Sequence, residues 1–294
     1  MPSTRFPALV LFQTSMLFAS SASAQIRASE IGTVSQIVDG TRITVTYSRP
    51  RTRGRDVIFG AKAVRWDATW TPGANWATTF TTTKDLTLNG KRVGKGTYSV
   101  WMIPRSSGEW TFILDPDSHR FHENPPDSNA RQIRTALRVE QAPALDVLTW
   151  SFPELRVSGG TIAMQWATTR AAMSFQVDPS LPITMAEGDA KSYLGRYEGR
   201  NVDPKQTEKW DFVLTYEDGV MKGQFDPNEP YMGKFAMIQL APDIFTAGLY
   251  DKNGQIYEVL RPDMIITFTR MKGKVETFEI RNDSDILEST GRKR

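Results

Sequence analysis

Short alternating apolar and polar runs, cut at intervals by Asp-Gly and Asn-Gly pairs, constrain this chain more than any other feature. Ile43, Val45 and Tyr47 alternate with Thr44 and Thr46. Trp110, Phe112 and Leu114 alternate with Thr111 and Ile113. Ile162, Met164 and Trp166 keep the same period of two, as do Met173, Phe175 and Val177. That period places successive side chains on opposite faces of a strand, so each run offers one face to a core. Between extended runs stand Asp39-Gly40, Asn89-Gly90, Asp218-Gly219 and Asn253-Gly254. These pairs accept the positive φ angles that tight hairpins require. Gly159-Gly160 reads as a fifth turn. No segment carries a long apolar stripe of helical period, so the expectation is an all-β fold, as a sandwich or barrel.

A break is expected between Asp178 and Ser192, where Pro179, Pro182 and Gly188 interrupt the pattern. Seven of the eight tryptophans precede it, which argues for two separate cores. The boundaries read as one domain over 28–178, a linker over 179–190 and a second domain over 191–294. The polar, basic end Ser289–Arg294 reads as a frayed tail.

The first residues carry their own message. One positive charge, at Arg5, precedes the apolar runs Phe6–Phe12 and Met16–Ala19, and the stretch closes on Ala22-Ser23-Ala24. This is the pattern of a signal peptide over 1–24, cut after Ala24. The protein is therefore expected to be exported, periplasmic or extracellular, and not to span a membrane.

Composition then removes whole classes of chemistry. The absence of cysteine excludes disulfides, thiolate nucleophiles and Cys-based metal sites. With two histidines, His119 and His122, no all-histidine metal cage can form. Neither Ser-x-x-Lys nor Gly-x-Ser-x-Gly occurs, so both common serine-nucleophile signatures are missing. A net charge of +3, evenly spread, gives no reason to expect a nucleic-acid partner.

Several blocks are distinctive in their order. Ser48-Arg49-Pro50 precedes Gly54–Gly60, Trp70-Thr71-Pro72-Gly73-Ala74-Asn75, Thr78–Thr82 and Lys84-Asp85-Leu86. Gly90-Lys91, Gly96-Thr97-Tyr98-Ser99, Ile103-Pro104 and Glu109-Trp110-Thr111 follow. In these blocks the first half resembles the exported bacterial family called domain of unknown function 2911. The resemblance carries no activity to transfer. The chain departs from it at Pro72, where the family usually has Thr, and over Lys62–Trp70. The second half opens with Tyr193-Leu194-Gly195-Arg196-Tyr197-Glu198 and has an acidic hairpin at Tyr216–Val220. It resembles the small lipocalin-like module called domain of unknown function 3471, often appended to exported serine hydrolases. Together these imply a jelly-roll-like antiparallel β-sandwich followed by a small lipocalin-like antiparallel β-barrel, its interior either filled by side chains or holding one small-ligand pocket.

Three stretches could carry function. Trp66, Trp70, Asn75 and Trp76 lie in one loop. Its rings either close one end of the core or stack on a sugar or peptide, with Asn75 reading polar groups. Arg49, Arg51, Arg53 and Arg55 fall within seven residues; Arg49 and Arg55 are the candidates to hold an anion, against a plain solvated connection. The segment Asp115–Glu123 holds both histidines; its spacing matches no metal template, so it reads as a solvated loop. His119, His122 and Glu123 are the residues a metal site would use there. Gly90–Thr97 looks like a phosphate loop only at a glance, because a strand and not a helix follows it. No catalytic residue and no cofactor are implied. The expectation is a non-enzymatic binding or scaffold protein of the bacterial envelope, with a small molecule or glycan as ligand. The alternatives are an assembly module contacting another envelope protein, or a hydrolase using carboxylate or metal chemistry at Asp115–Glu123.

Overall fold

A computed structural model describes residues 28–294. The expected signal peptide over 1–24 lies outside them. The first sheet contains β1 (Ile31–Val38), β2 (Thr41–Ser48), β3 (Thr79–Thr82), β4 (Leu86–Leu88), β5 (Lys91–Val93), β6 (Gly96–Ile103), β7 (Trp110–Asp115), β8 (Ile133–Arg156) and β9 (Gly159–Val177). After a single turn of helix, α1 (Glu187–Ala190), come β10 (Gly195–Asn201), β11 (Lys209–Glu217), β12 (Val220–Asp226), β13 (Lys234–Ala241) and β14 (Ile244–Tyr250). β15 (Ile256–Val259), β16 (Ile265–Met271), β17 (Lys274–Arg281) and β18 (Leu287–Lys293) complete the chain. The all-β expectation holds. No helix among the described residues is long and apolar enough to cross a membrane.

The first sheet runs in the order β1-β2-β3-β6-β7-β8-β9-β4-β5. Its two longest strands form one hairpin, broken in register after Gln141, Leu145 and Ser151. Those irregularities bend the hairpin. Its outer half is tied to the end of β2, where Leu148 N–H donates to Pro50 O and Thr52 N–H to Asp146 O, at 2.9 Å each. Near the tip, Val177 N–H donates to Ser158 O at 2.9 Å. One core cluster joins Val45, Phe80, Met102 and Phe112 to Leu148, Met164 and Phe175. Two expected runs, around Met164 and Phe175, are thus parts of one long strand.

The turns divide by chemistry. Asp39-Gly40, Asn89-Gly90 and Asp218-Gly219 are two-residue hairpins with positive φ at both positions. Asn253-Gly254 instead sits in a longer loop that Asp251 and Gln255 close at 2.8 Å. Gly159-Gly160 is not a turn. Both residues are in β9, and a Cβ on Gly160 would stand 2.4 Å from Glu154 O and 3.0 Å from the Phe175 ring. These glycines serve close approach, not reversal.

The second sheet closes on itself through β13–β14 pairing, giving an eight-stranded antiparallel barrel with β15 added outside β14. Its interior is filled by Tyr197, Phe212, Phe235, Phe245, Phe268 and Phe278, all buried. The expectation of a frayed C-terminus is corrected. β18 pairs with β10 on one side and β17 on the other, so the barrel cannot close without it. Its inward positions include Ser289 and Gly291, the glycine leaving room for the Phe278 ring, and so no apolar alternation marks it as a strand.

The connection is held at both ends: Asp39 Oδ2 accepts from Ser180 N–H at 2.7 Å, and Met185 N–H donates to Gly219 O at 2.9 Å. Beside that second tie, Glu217 is bound by Lys234 and, at 3.1 Å, by Lys222. Those hydrogen bonds hold its carboxyl at about 2, down from the usual 4.5. A folded-state pKa below the unfolded one adds stability that is present above the unfolded value and lost as pH falls through the folded value. Glu217→Gln should therefore lower the melting temperature at pH 7, and the deficit should shrink as the pH falls from 4.5 toward 2. Melting curves across that range check it.

Candidate functional site

Two stretches that lie far apart in sequence meet on the outer face of the first sheet. The segment before β3 is fixed first. Thr71 Oγ1 donates to Val100 O at 2.8 Å and accepts from Thr78 N–H at 3.0 Å. Asn75 then takes a left-handed conformation, φ 61°. Its carbonyl accepts both from the backbone N–H of His122 and from its ring Nδ1, each at 2.8 Å. A carbonyl can only accept, so Nδ1 carries a proton and donates it to Asn75 O. Trp76 and Phe121 form an antiparallel bridge, and Ala77 N–H donates to Arg120 O at 2.8 Å.

This pairing lines up four rings. Trp76 stacks on His119 with centroids 4.2 Å apart and planes 25° apart. Phe121 meets Trp76 edge-on at 5.6 Å, and His122 tilts against Phe121 at 4.5 Å. The result is an aromatic ledge, with Trp76 46% and Phe121 37% exposed. Its base is rigid. Trp101 is fully buried, packed with Ala77 and Ile113. Its Nε1 donates to Ser99 Oγ at 3.0 Å, and that hydroxyl donates to Asp117 O at 2.6 Å. The buried Asp115 carboxylate accepts from Asp117 N–H at 2.9 Å and Gln132 Nε2 at 2.8 Å. The segment after β7 is thus anchored to the sheet, not simply solvated.

The other candidates lie elsewhere. Trp66 and Trp70 pack around Phe59, and Trp70 stacks on Trp166 at 6.3 Å. The tryptophan loop is therefore divided between a core end and the ledge. Asn75 contributes its backbone, while its side chain turns toward Ser29 O and Ser48 Oγ, each 3.4 Å away. Arg49 lies over Gly32 and donates to Thr149 Oγ1 at 3.2 Å. Arg55 caps its own loop through Thr52 O and Arg51 O, and its guanidinium stands 5.8 Å over the Trp166 ring. The two arginines do not converge on one anion site. His119 is stacked, His122 Nδ1 is engaged, and Glu123 is 3.9 Å from His122 Nε2. Among the described residues, no three His, Asp or Glu side chains are grouped to hold a metal ion.

Residues 29–175 match the family model described as Protein of unknown function (DUF2911). The chain belongs to this family. No curated protein and no protein of solved structure matches it. The DUF2911 span contains the whole ledge and ends at β9, so the barrel lies beyond it. At Pro72, which this sequence has within the DUF2911 span, a carbonyl does the structural work. It accepts from Thr78 Oγ1 at 2.9 Å and faces Trp150 Nε1 at 3.4 Å. Phe121 is the ledge residue that sequence reasoning missed. Its signal was its place between two histidines already singled out.

Proposed function

We propose that this DUF2911 protein is an exported, non-enzymatic binding protein of the bacterial envelope, and that the His119–Trp76–Phe121–His122 ledge meets its ligand. The observation that carries this is a half-exposed tryptophan held rigid by a ring behind it and a backbone bridge beside it. Exposed, pre-oriented aromatic faces suit ligands that pair flat apolar faces with polar edges, and a glycan has both. Export rests on the signal-like segment 1–24. The closed antiparallel barrel supports reading the second half as the lipocalin-like appended module. The hydrolase reading gains nothing from the Asp115–Glu123 segment, whose polar groups anchor the loop.

Calorimetric titration with soluble cell-wall glycan fragments tests the proposal. Binding is expected, and Trp76→Ala should weaken it by about 2 kcal/mol, roughly thirtyfold, as for a stacked aromatic anchor. Trp66→Ala should leave it unchanged. A Trp76→Ala protein that binds as well as wild type would sink the assignment. A second reading, assembly with another envelope protein, is favoured by β1. This strand ends its sheet, carries no charge over eight residues and leaves Ile31 63% and Ile37 49% exposed. Edges of that kind are available for strand addition.

A further inference from the structure

The barrel interior is packed with its own rings, yet one end of the barrel remains open. At the closed end, Tyr193 Oη donates to Asp243 at 2.6 Å, Arg270 Nε donates to the same carboxylate at 2.8 Å, and the Arg270 guanidinium lies 5.0 Å over the Tyr193 ring. At the other end lies a cavity of about 690 Å³ whose lining includes Trp210, Phe225, Met232, Met264 and Ile280. Phe225, Met264 and Ile280 are buried and form its floor. We propose that this mouth is a second binding site, and that it takes an amphipathic organic cation: a protonated or quaternary amine on an apolar body.

The wall is pre-organised. Trp210 Nε1 donates to Asn201 Oδ1 at 3.2 Å. The indole lies directly on Gly199, where a Cβ would come within 2.5 Å of the ring. Phe225 meets it edge-on at 5.1 Å. The indole is thus fixed before any ligand arrives, which lowers the entropic cost of binding. The size is that of an ordinary small-molecule pocket.

Charge chooses among ligands. Glu208, Glu229, Asp263 and Glu288 stand around the opening, all exposed. Among the described residues, Glu208, Glu229 and Asp263 have no ion-pair partner, and the Glu288 carboxylate accepts only from the Asn282 side-chain amide at 3.1 Å. Lys209 is ion-paired with Glu198 at 2.6 Å, a carboxylate that Arg294 shares at 3.2 Å. Among the described lining residues, Lys205 is the ammonium without an ion pair, facing four carboxylates. This local negative field sits on a chain whose net charge is +3. Carboxylates around a pocket lined by the Trp210 and Phe225 rings favour a cation twice, through Coulomb attraction and through the ring quadrupole. The same field repels carboxylate or phosphate headgroups. A neutral apolar molecule would gain only the floor.

Titration calorimetry on the full chain tests this with three probes that share one apolar body: benzyltrimethylammonium, benzyl alcohol and benzoate. The cation should bind at least tenfold tighter than the alcohol, and benzoate should bind weakest. Added salt should erode the cation's advantage, because the rim charges are exposed. The double variant Glu229→Gln/Asp263→Asn changes two exposed side chains and should melt as wild type. It should weaken the cation at least fivefold and leave the alcohol unchanged. Trp76→Ala should leave all three affinities unchanged, which separates this site from the ledge. Equal binding of the three probes, preference for benzoate, absence of cation binding, indifference to the double variant, or loss of cation binding in Trp76→Ala would each overturn the proposal.

Discussion

Trp101→Ala is expected to destabilise the first sheet by about 3–5 kcal/mol, the range for emptying a buried tryptophan site, and to disable the ledge with it. The ring has no exposed surface and packs with Ala77 and Ile113, away from the main core. Satellite clusters of this kind lie under long loops and hold them down. Here the loop is the one that carries His119, Phe121 and His122. Removing the indole also strips Ser99 Oγ of its donor, and that hydroxyl is what holds Asp117 O at 2.6 Å. The loss should therefore be more than a cavity. Urea denaturation would measure the stability, and hydrogen exchange over 116–132 would measure the loop. Exchange there should accelerate in native buffer, and glycan affinity should fall in parallel. Trp101→Phe should fall between wild type and alanine, since it keeps part of the bulk while losing the rest and the N–H donor. A Trp101→Ala protein within 1 kcal/mol of wild type, or with unchanged loop exchange, would refute the view that this ring supports the ledge.

What could be read from the residues follows from how local each signal is. The hairpins at Asp39-Gly40 and Asp218-Gly219 were legible because their turn chemistry sits in two adjacent residues. Lys272-Gly273 makes the same kind of turn, with φ of 49° and 80°, but lysine carries no turn signal. Family membership was legible because its blocks are contiguous and ordered, and the matched span 29–175 agrees with the expected 28–178. The ledge was legible only in halves. Asn75-Trp76 and His119–His122 each drew attention, but nothing local says that a backbone bridge joins Trp76 to Phe121. Long-range pairing of this sort has no composition or period to betray it. The split of the tryptophan loop was hidden for the same reason. Trp66 and Trp70 turn to Phe59 because β7 and β9 bring Trp110 and Trp166 beside it, far along the chain. β18 failed differently: its core-facing positions carry no apolar alternation, and at Gly291 the Phe278 ring of β17 occupies the space a side chain would need.

That last point sets the second large effect. Gly291→Ala is expected to destabilise the barrel by about 3 kcal/mol, at the upper end of overpacking costs. An added Cβ would stand 2.3 Å from the Phe278 ring and 2.6 Å from Glu198 O. Neither neighbour can yield. Phe278 is itself wedged against Tyr197, Phe212 and Trp210 at 5.2–5.9 Å. The Glu198 carbonyl belongs to β10, whose pairing with β18 closes the barrel. Moving it opens a seam, and an opened barrel gains two unpaired edges. Gly188→Ala is the control, because a Cβ there meets nothing within 4 Å. Hydrogen exchange by mass spectrometry reads the two halves separately. Peptides from 195–293 should lose protection in Gly291→Ala while those from 29–175 keep it. Adding Phe278→Leu should restore stability only in part, since the contact with Glu198 O persists. If Gly291→Ala exchanged like the Gly188 control, aromatic rings seated on glycine would not be what closes this barrel. Trp210 is seated on Gly199 in the same way.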